Sequence, residues 1–127
     1  MRAFAAAEWD RAGRALGSAR QLVETDPDSA ASRAYYAAFH ALTALFALRE
    51  QTFTRHSAIR AALHRDLVQP GELPEEHGRD YDFLTDVRET GDYGGLTQVP
   101  AETARLAVEK AEAFVAAIER MCPDLAG

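Results

Sequence analysis

Arg88, Asp92 and Tyr93 gather inside RETGDYGG, residues 88–95, where a helix is running out toward a pair of glycines. On a helical wheel Arg88 lies about 40° from Leu84, so it borders an apolar edge. A guanidinium in that position must be paired or must open into a cleft. Asp92, four residues on, is spaced to pair with it. Two readings follow: a helix-end ion pair near the negative pole of the macrodipole, or a site. Tyr93 is read either as an aromatic packed under the following loop, or as an exposed phenol offering an acid, a nucleophile or a modification target.

A second group is His56, Arg60 and His64, recurring at steps of four. It could contact RNA phosphates or supply a general acid or base near neutral pH; its plainer reading is a solvated face. His40, inside an apolar stretch, reads as a core histidine whose hydrogen bonds are met locally. Tyr35 and Tyr36 read as core or interface aromatics, and Tyr36 joins Arg60 and His64 as a candidate RNA- or nucleotide-binding residue. The acidic run Glu75, Glu76, Asp80, Asp82, Asp86 and Glu89 reads as a solvated face. There is no Gly-rich phosphate loop, HExxH, GxSxG or CxxC pair. No cofactor is expected. The lone Cys122 has no metal-ligand spacing around it, so no metal is expected either.

These residues must be positioned by helices. The spacing predicts five, over about 4–24, 30–50, 54–68, 75–91 and 101–121, and no strand. Ala5, Trp9, Ala12, Leu16, Ala19 and Val23 line the first. Tyr35, Phe39, Leu42 and Phe46 stripe the second, which is apolar on most sides and so belongs at the centre of a bundle. Asp28 or Ser29 is the expected N-cap of that helix. Ile59, Leu63 and Leu67 face inward from the third, and the His56 stripe runs about 60° round from them. Phe83, Leu84 and Val87 edge the fourth. The fifth starts after Pro100 and carries Ala107, Ala111, Phe114, Ile118 and Met121. Short connections imply antiparallel neighbours. The expected fold is an all-α, up-and-down antiparallel bundle of four to five helices, one domain over residues 1–127.

The 127 residues, 47% apolar, suffice for a buried core without disulfides. One cysteine fits a reducing compartment. MRAFAAAEWD reaches Glu8 and Asp10 too early for a signal-peptide apolar region. The longest greasy run, AYYAAFHALTALFAL, has 15 residues, short of the roughly 20 that span a membrane. A cytoplasmic protein with no membrane association is expected. The net charge of −6, with Lys110 the only lysine, excludes general adhesion to nucleic acid and leaves only a local basic patch for RNA.

Two stretches together resemble a known family. SRAYYAAFHALTALF, residues 32–46, is similar to the second-helix signature of the HEPN family, and VRETGDYGG, residues 87–95, to its distal RxxxDY segment. TRHSAIRAAL (54–63) and EKAEAFVAAIE (109–119) resemble the intervening and closing segments of the same branch, so the likeness runs over nearly the whole chain. The resemblance implies a HEPN-like helical bundle that dimerises. It further implies a metal-independent endoribonuclease or an inactive relative, often a toxin or defence effector paired with a minimal nucleotidyltransferase antitoxin. Active members carry an Arg and a following His with four to six residues between them, and two copies form one RNA cleft. Arg88 matches the motif arginine, but Tyr93, Gly94 and Gly95 stand where the histidine is expected. The resemblance therefore assigns Arg88 to phosphate, with Asp92, Tyr93 and His56 as the remaining candidate catalytic groups. Asp92 paired with Arg88 would be a poor base, and His56 serves only if the fold brings the third helix against the Arg88 end. In some pairs of this family the nucleotidyltransferase adds AMP to a tyrosine close to the motif, and an exposed Tyr93 beside Arg88 would suit that chemistry. A non-catalytic module that binds a nucleotidyltransferase or nucleotide, or a bundle in which Arg88 and Asp92 merely hold a dimer, are the alternatives.

Overall fold

The computed structural model describes residues 1–126. They form five α-helices: α1 Arg2–Leu22, α2 Pro27–Leu48, α3 His56–Ala62, α4 Glu75–Tyr93 and α5 Ala101–Met121, and the described residues include no strand. The architecture is the all-helical bundle that the periodicity predicts.

α2 is its axis. It packs against α1, α4 and α5. Ala30, Ala31, Ala34, Ala37, Ala38, Ala41, Ala44 and Ala47 are all fully buried, so neighbouring backbones come close from several directions at once. Larger side chains fill what remains: Leu42, Leu45 and Phe46 from α2, Tyr81 and Leu84 from α4, Phe114 and Ile118 from α5. The N-cap of α2 is Asp26, not Asp28 or Ser29. Pro27 takes the first helical turn, where its missing N–H is no loss, so the cap sits one residue before it. The Asp26 carboxylate accepts from Ser29 N (3.2 Å) and Ser29 Oγ (2.6 Å). Asp28 is left to make a distant contact. Its Oδ1 accepts from Val99 N at 2.7 Å and ties the loop before α5 to the start of α2.

The third helix differs from its expected span. It begins at His56 and passes after Ala62 into a π-helical segment, Leu63–Val68. The wider turn keeps Leu63 and Leu67 fully buried while His64 stays at the cavity described below. α4 runs two residues further than predicted, through Asp92 and Tyr93. It crosses α2 so closely at Gly91 that a Cβ there would lie 2.6 Å from the Asp28 carbonyl oxygen.

The acidic run on α4 is not simply a solvated face. Asp80 accepts from Lys110 Nζ at 3.0 Å, linking α4 to α5. Asp82 accepts from Arg60 Nε at 2.8 Å and is 2.9 Å from His64 Nε2, linking α4 to α3. Both carboxylates are neutralised partners rather than free surface charge.

Candidate active site

The cavity that gathers the predicted chemistry has a volume of about 490 Å³ and lies between α2, α3 and α4. Tyr35, His56, Arg60, His64, Thr85, Arg88 and Glu89 line it. α3 therefore does come against the Arg88 end of α4, the condition on which His56 depended. A cavity of about 570 Å³ elsewhere, bounded by Arg2, Arg49, Glu50 and Cys122, is slightly larger but gathers no histidine, and its Arg49 is already engaged by Glu72. The candidate residues gather in the smaller one.

Arg88 projects from α4 into a group of phenols. Its Cζ lies 5.0 Å from the Tyr35 ring centre, 5.7 Å from that of Tyr36 and 5.9 Å from that of Tyr93. Its Nε donates to Asp92 Oδ2 at 3.3 Å, a long and loosely held pair. Burial works against its charge, but Tyr36, Tyr35, Asp92 and Tyr93 together outweigh this, so the guanidinium stays protonated even more firmly than an ordinary arginine. The helix-end ion pair and the cavity lining thus coexist at Arg88: Asp92 holds it from one side, and the buried Tyr35 ring from the other.

His56 stands on the α3 side. Its ring stacks on Phe39, with centroids 4.4 Å apart and planes 15° from parallel. Its Nδ1 is 2.8 Å from the hydroxyl of the buried Tyr35. Burial, then the charges of Arg88 and His40, hold its pKa below the ordinary histidine value. The ring is therefore neutral at physiological pH, with Nε2 free of any protein partner among the described residues.

The other candidates are distributed unevenly. Arg60 and His64 line the cavity, yet both are engaged by Asp82. Tyr36 is half-buried, with Arg88 near its ring and Arg33 5.0 Å from its centre. Tyr93 is 74% exposed, so it is a surface phenol and not a core aromatic. His40 stands apart from the cavity wall; its Nδ1 lies 3.2 Å from Oε1 of Glu8, a carboxylate 6% exposed on α1 that also accepts from Arg11. Spacing gave no hint of Glu8, because its partner His40 lies 32 residues away on α2.

The side chains that orient His56 are Tyr35, in the sequence a core or interface aromatic, and Phe39, in the sequence part of the α2 stripe. The one available signal was that a phenol inside a highly apolar helix must find a hydrogen-bond partner. Which partner, 21 residues along the chain, no local pattern specifies.

A family model described as HEPN domain matches residues 6–121. A "UPF0332 protein" from Thermotoga maritima is 36% identical over 116 residues, covering 91% of this chain and 88% of that one. A protein described as "Putative toxin MJ0142", from Methanocaldococcus jannaschii, is 24% identical over 107 residues, 84% of this chain and 73% of that one. The crystal structure of TT1696 from Thermus thermophilus superposes with a TM-score of 0.75 at 23% identity, over 92% of this chain and 97% of that chain, and so shares its fold.

Proposed function

The chain belongs to the HEPN domain family, and from that premise we propose that it is a toxin-type HEPN protein acting on RNA, a metal-independent endoribonuclease whose cleft forms where two copies meet. The observation that carries this reading is that Arg88 and His56 line one cavity and converge on one buried side chain, Tyr35. The motif histidine is absent after Arg88, and α3 supplies an imidazole in its place.

The chemistry suits the groups. The ribose 2′-oxygen attacks the adjacent phosphorus, the bond to the 5′-oxygen breaks, and a 2′,3′-cyclic phosphate and a 5′-hydroxyl result. Negative charge builds on the phosphoryl oxygens in the transition state. A permanently charged guanidinium aimed there stabilises it, and an imidazole beside it serves the proton or hydrogen-bond requirements of the reaction. Asp92, paired with Arg88, positions the guanidinium and is not the base.

RNA cleavage by purified protein in EDTA tests this. Wild type should cut, and Arg88→Ala and His56→Ala should each lose on the order of 10²-fold or more. Light scattering should give about twice the 13.9 kDa chain mass, a doubling that follows from two-fold association. Equal cleavage by wild type and Arg88→Ala would sink the assignment.

A second reading is a module controlled or bound by a nucleotidyltransferase partner. It is favoured by Tyr93, a phenol 74% exposed with its ring 5.9 Å from the Arg88 guanidinium. Mass spectrometry after co-expression with an active minimal nucleotidyltransferase should find adenylyl groups on Tyr93; an unmodified tyrosine would count against it.

A further inference from the structure

Two phenols stand in line behind His56. Tyr35 is 1% exposed and Tyr81 0%. Their rings lie 5.8 Å apart. The Tyr35 hydroxyl is 2.8 Å from His56 Nδ1. The Tyr81 hydroxyl is buried with no hydrogen-bond partner at ordinary bonding geometry. The polar group it faces is Tyr35, close enough that the two hydroxyls perturb each other's ionisation.

The direction of this line can be deduced. A buried O–H with no acceptor loses its full hydration, whereas a hydroxyl oxygen with a spare lone pair loses much less. Tyr81 therefore directs its proton toward the Tyr35 oxygen. The Tyr35 proton is then free for His56 Nδ1, the acceptor within 2.8 Å of its oxygen. That nitrogen becomes an acceptor, and the ring of a neutral His56 carries its proton on Nε2. Reversing the line would strand the Tyr81 proton in the core.

The charged surroundings favour the same form. Among the described residues no carboxylate hydrogen-bonds His56, unlike a catalytic triad in which a buried Asp stabilises the imidazolium. Arg88 from α4 and His40 from α2 oppose a positive charge on the ring. Arg60, His64 and Glu89 share the cavity wall, with Arg60 and His64 taken up by Asp82. Phe39 and Tyr36 cover the ring from the α2 side.

We propose that Tyr35, backed by Tyr81, is a positioning residue that fixes His56 as a neutral imidazole with its proton on Nε2, so that the ring offers an N–H donor to a phosphodiester oxygen in the cavity rather than a basic lone pair. The ligand in this statement rests on the RNA reading above; the tautomer rests on the Tyr35–His56 hydrogen bond and on the buried, unpartnered Tyr81 hydroxyl beside Tyr35. In cleavage, His56 and Arg88 then share the stabilisation of phosphoryl charge, as a neutral histidine can when it acts as an electrophile. The 2′-hydroxyl proton leaves to water, and the departing 5′-oxygen takes one from water.

The test uses the full chain labelled with ¹⁵N-histidine, with His56→Gln identifying the His56 signals among the four histidines. Long-range ¹H–¹⁵N spectra across about pH 5–8 read tautomer and titration together. Wild type should show protonated Nε2 and a titration midpoint below the ordinary histidine value. Tyr35→Phe, which keeps the ring and removes the hydroxyl, should move the midpoint upward. Tyr81→Phe should move it in the same direction, since the Tyr35 oxygen is then released to accept from Nδ1. A wild-type ring protonated at Nδ1, or a midpoint unmoved in Tyr35→Phe or in Tyr81→Phe, would overturn the proposal. Unchanged signals from the other histidines check that the variants fold.

A second arm measures RNA cleavage. Glutamine can place an amide N–H close to Nε2 but cannot transfer a proton as imidazole does. His56→Gln should stay within about 10-fold of wild type while His56→Ala falls on the order of 10²-fold; equal losses in both would refute the donor role. If the wild type itself does not cleave RNA, the RNA reading fails while the tautomer result stands.

Discussion

At the residue scale the site is defined by what surrounds its two nitrogen bases. Arg88 is a charge held among phenol faces, and His56 is a histidine kept uncharged. The depressed His56 pKa has a consequence for stability. The unfolded chain binds a proton on this ring near pH 6.5, and the folded chain does so only at lower pH. Between those two values the unfolded state holds more protons, so stability rises with pH there. Its contribution is complete above the unfolded value and is lost as pH falls through the folded one. Denaturant titrations of wild type and His56→Gln should therefore diverge in slope against pH just below about 6.5 and run parallel above it. Parallel curves throughout would mean that His56 is solvated like a free histidine.

At the element scale the bundle depends on how closely α2 can be approached. Gly91→Ala adds a methyl group 2.6 Å from the Asp28 carbonyl oxygen, so α4 must shift from α2 just where Arg88 and Asp92 emerge. The lost close contact should outweigh the gain in helix propensity and destabilise by about 1–3 kcal/mol. Gly13→Ala on α1 is the control: a Cβ there meets nothing within 4 Å, and the variant should be more stable by up to about 1 kcal/mol. Thermal melts of the two variants, moving in opposite directions, check both. The contrast also shows what could be read from the sequence. Periodicity located all five helices because each carries buried apolar residues at steps of three and four, on one face in α5 and on most sides in α2. It missed the break at Leu63 because a π-turn leaves Leu63 and Leu67 on the same face as an α-turn would. It placed the α2 cap at Asp28 or Ser29 because both are capping types; that Asp28 was needed by Val99, 71 residues away, is a tertiary demand. The same limit applies to the site. Arg88 and Asp92 are helical neighbours and their pairing was readable. The approach of α3, the Asp82 link to Arg60 and His64, and the line of tyrosines behind His56 all join distant segments.

At the scale of the whole molecule, the charge of −6 and the local cavity belong together. An RNA bound through Arg88 and one or two neighbours releases few counterions. Each phosphate contact to a single strand contributes about −0.7 to the slope of log affinity against log salt. Fluorescence anisotropy with a short RNA should give a slope between about −1 and −2, and one steeper than about −4 would require a broad basic surface. None of the described helices is long and apolar enough to cross a membrane. The two walls of the cavity are anchored very differently. Tyr35 rises from the innermost helix, surrounded by buried alanines, whereas Arg88 and Glu89 lie near the end of α4, whose last turn carries Asp92 and Tyr93 just before Gly94. Amide hydrogen exchange should accordingly be slowest at Tyr35 and accelerate along α4 from Leu84 to Tyr93, because terminal turns open without unfolding the rest. If the exchange follows that gradient, the α2 wall is the fixed jaw and the α4 wall the yielding one, and under the proposed function an RNA in the cavity, or an adenylyl group on Tyr93, would act first on the α4 side.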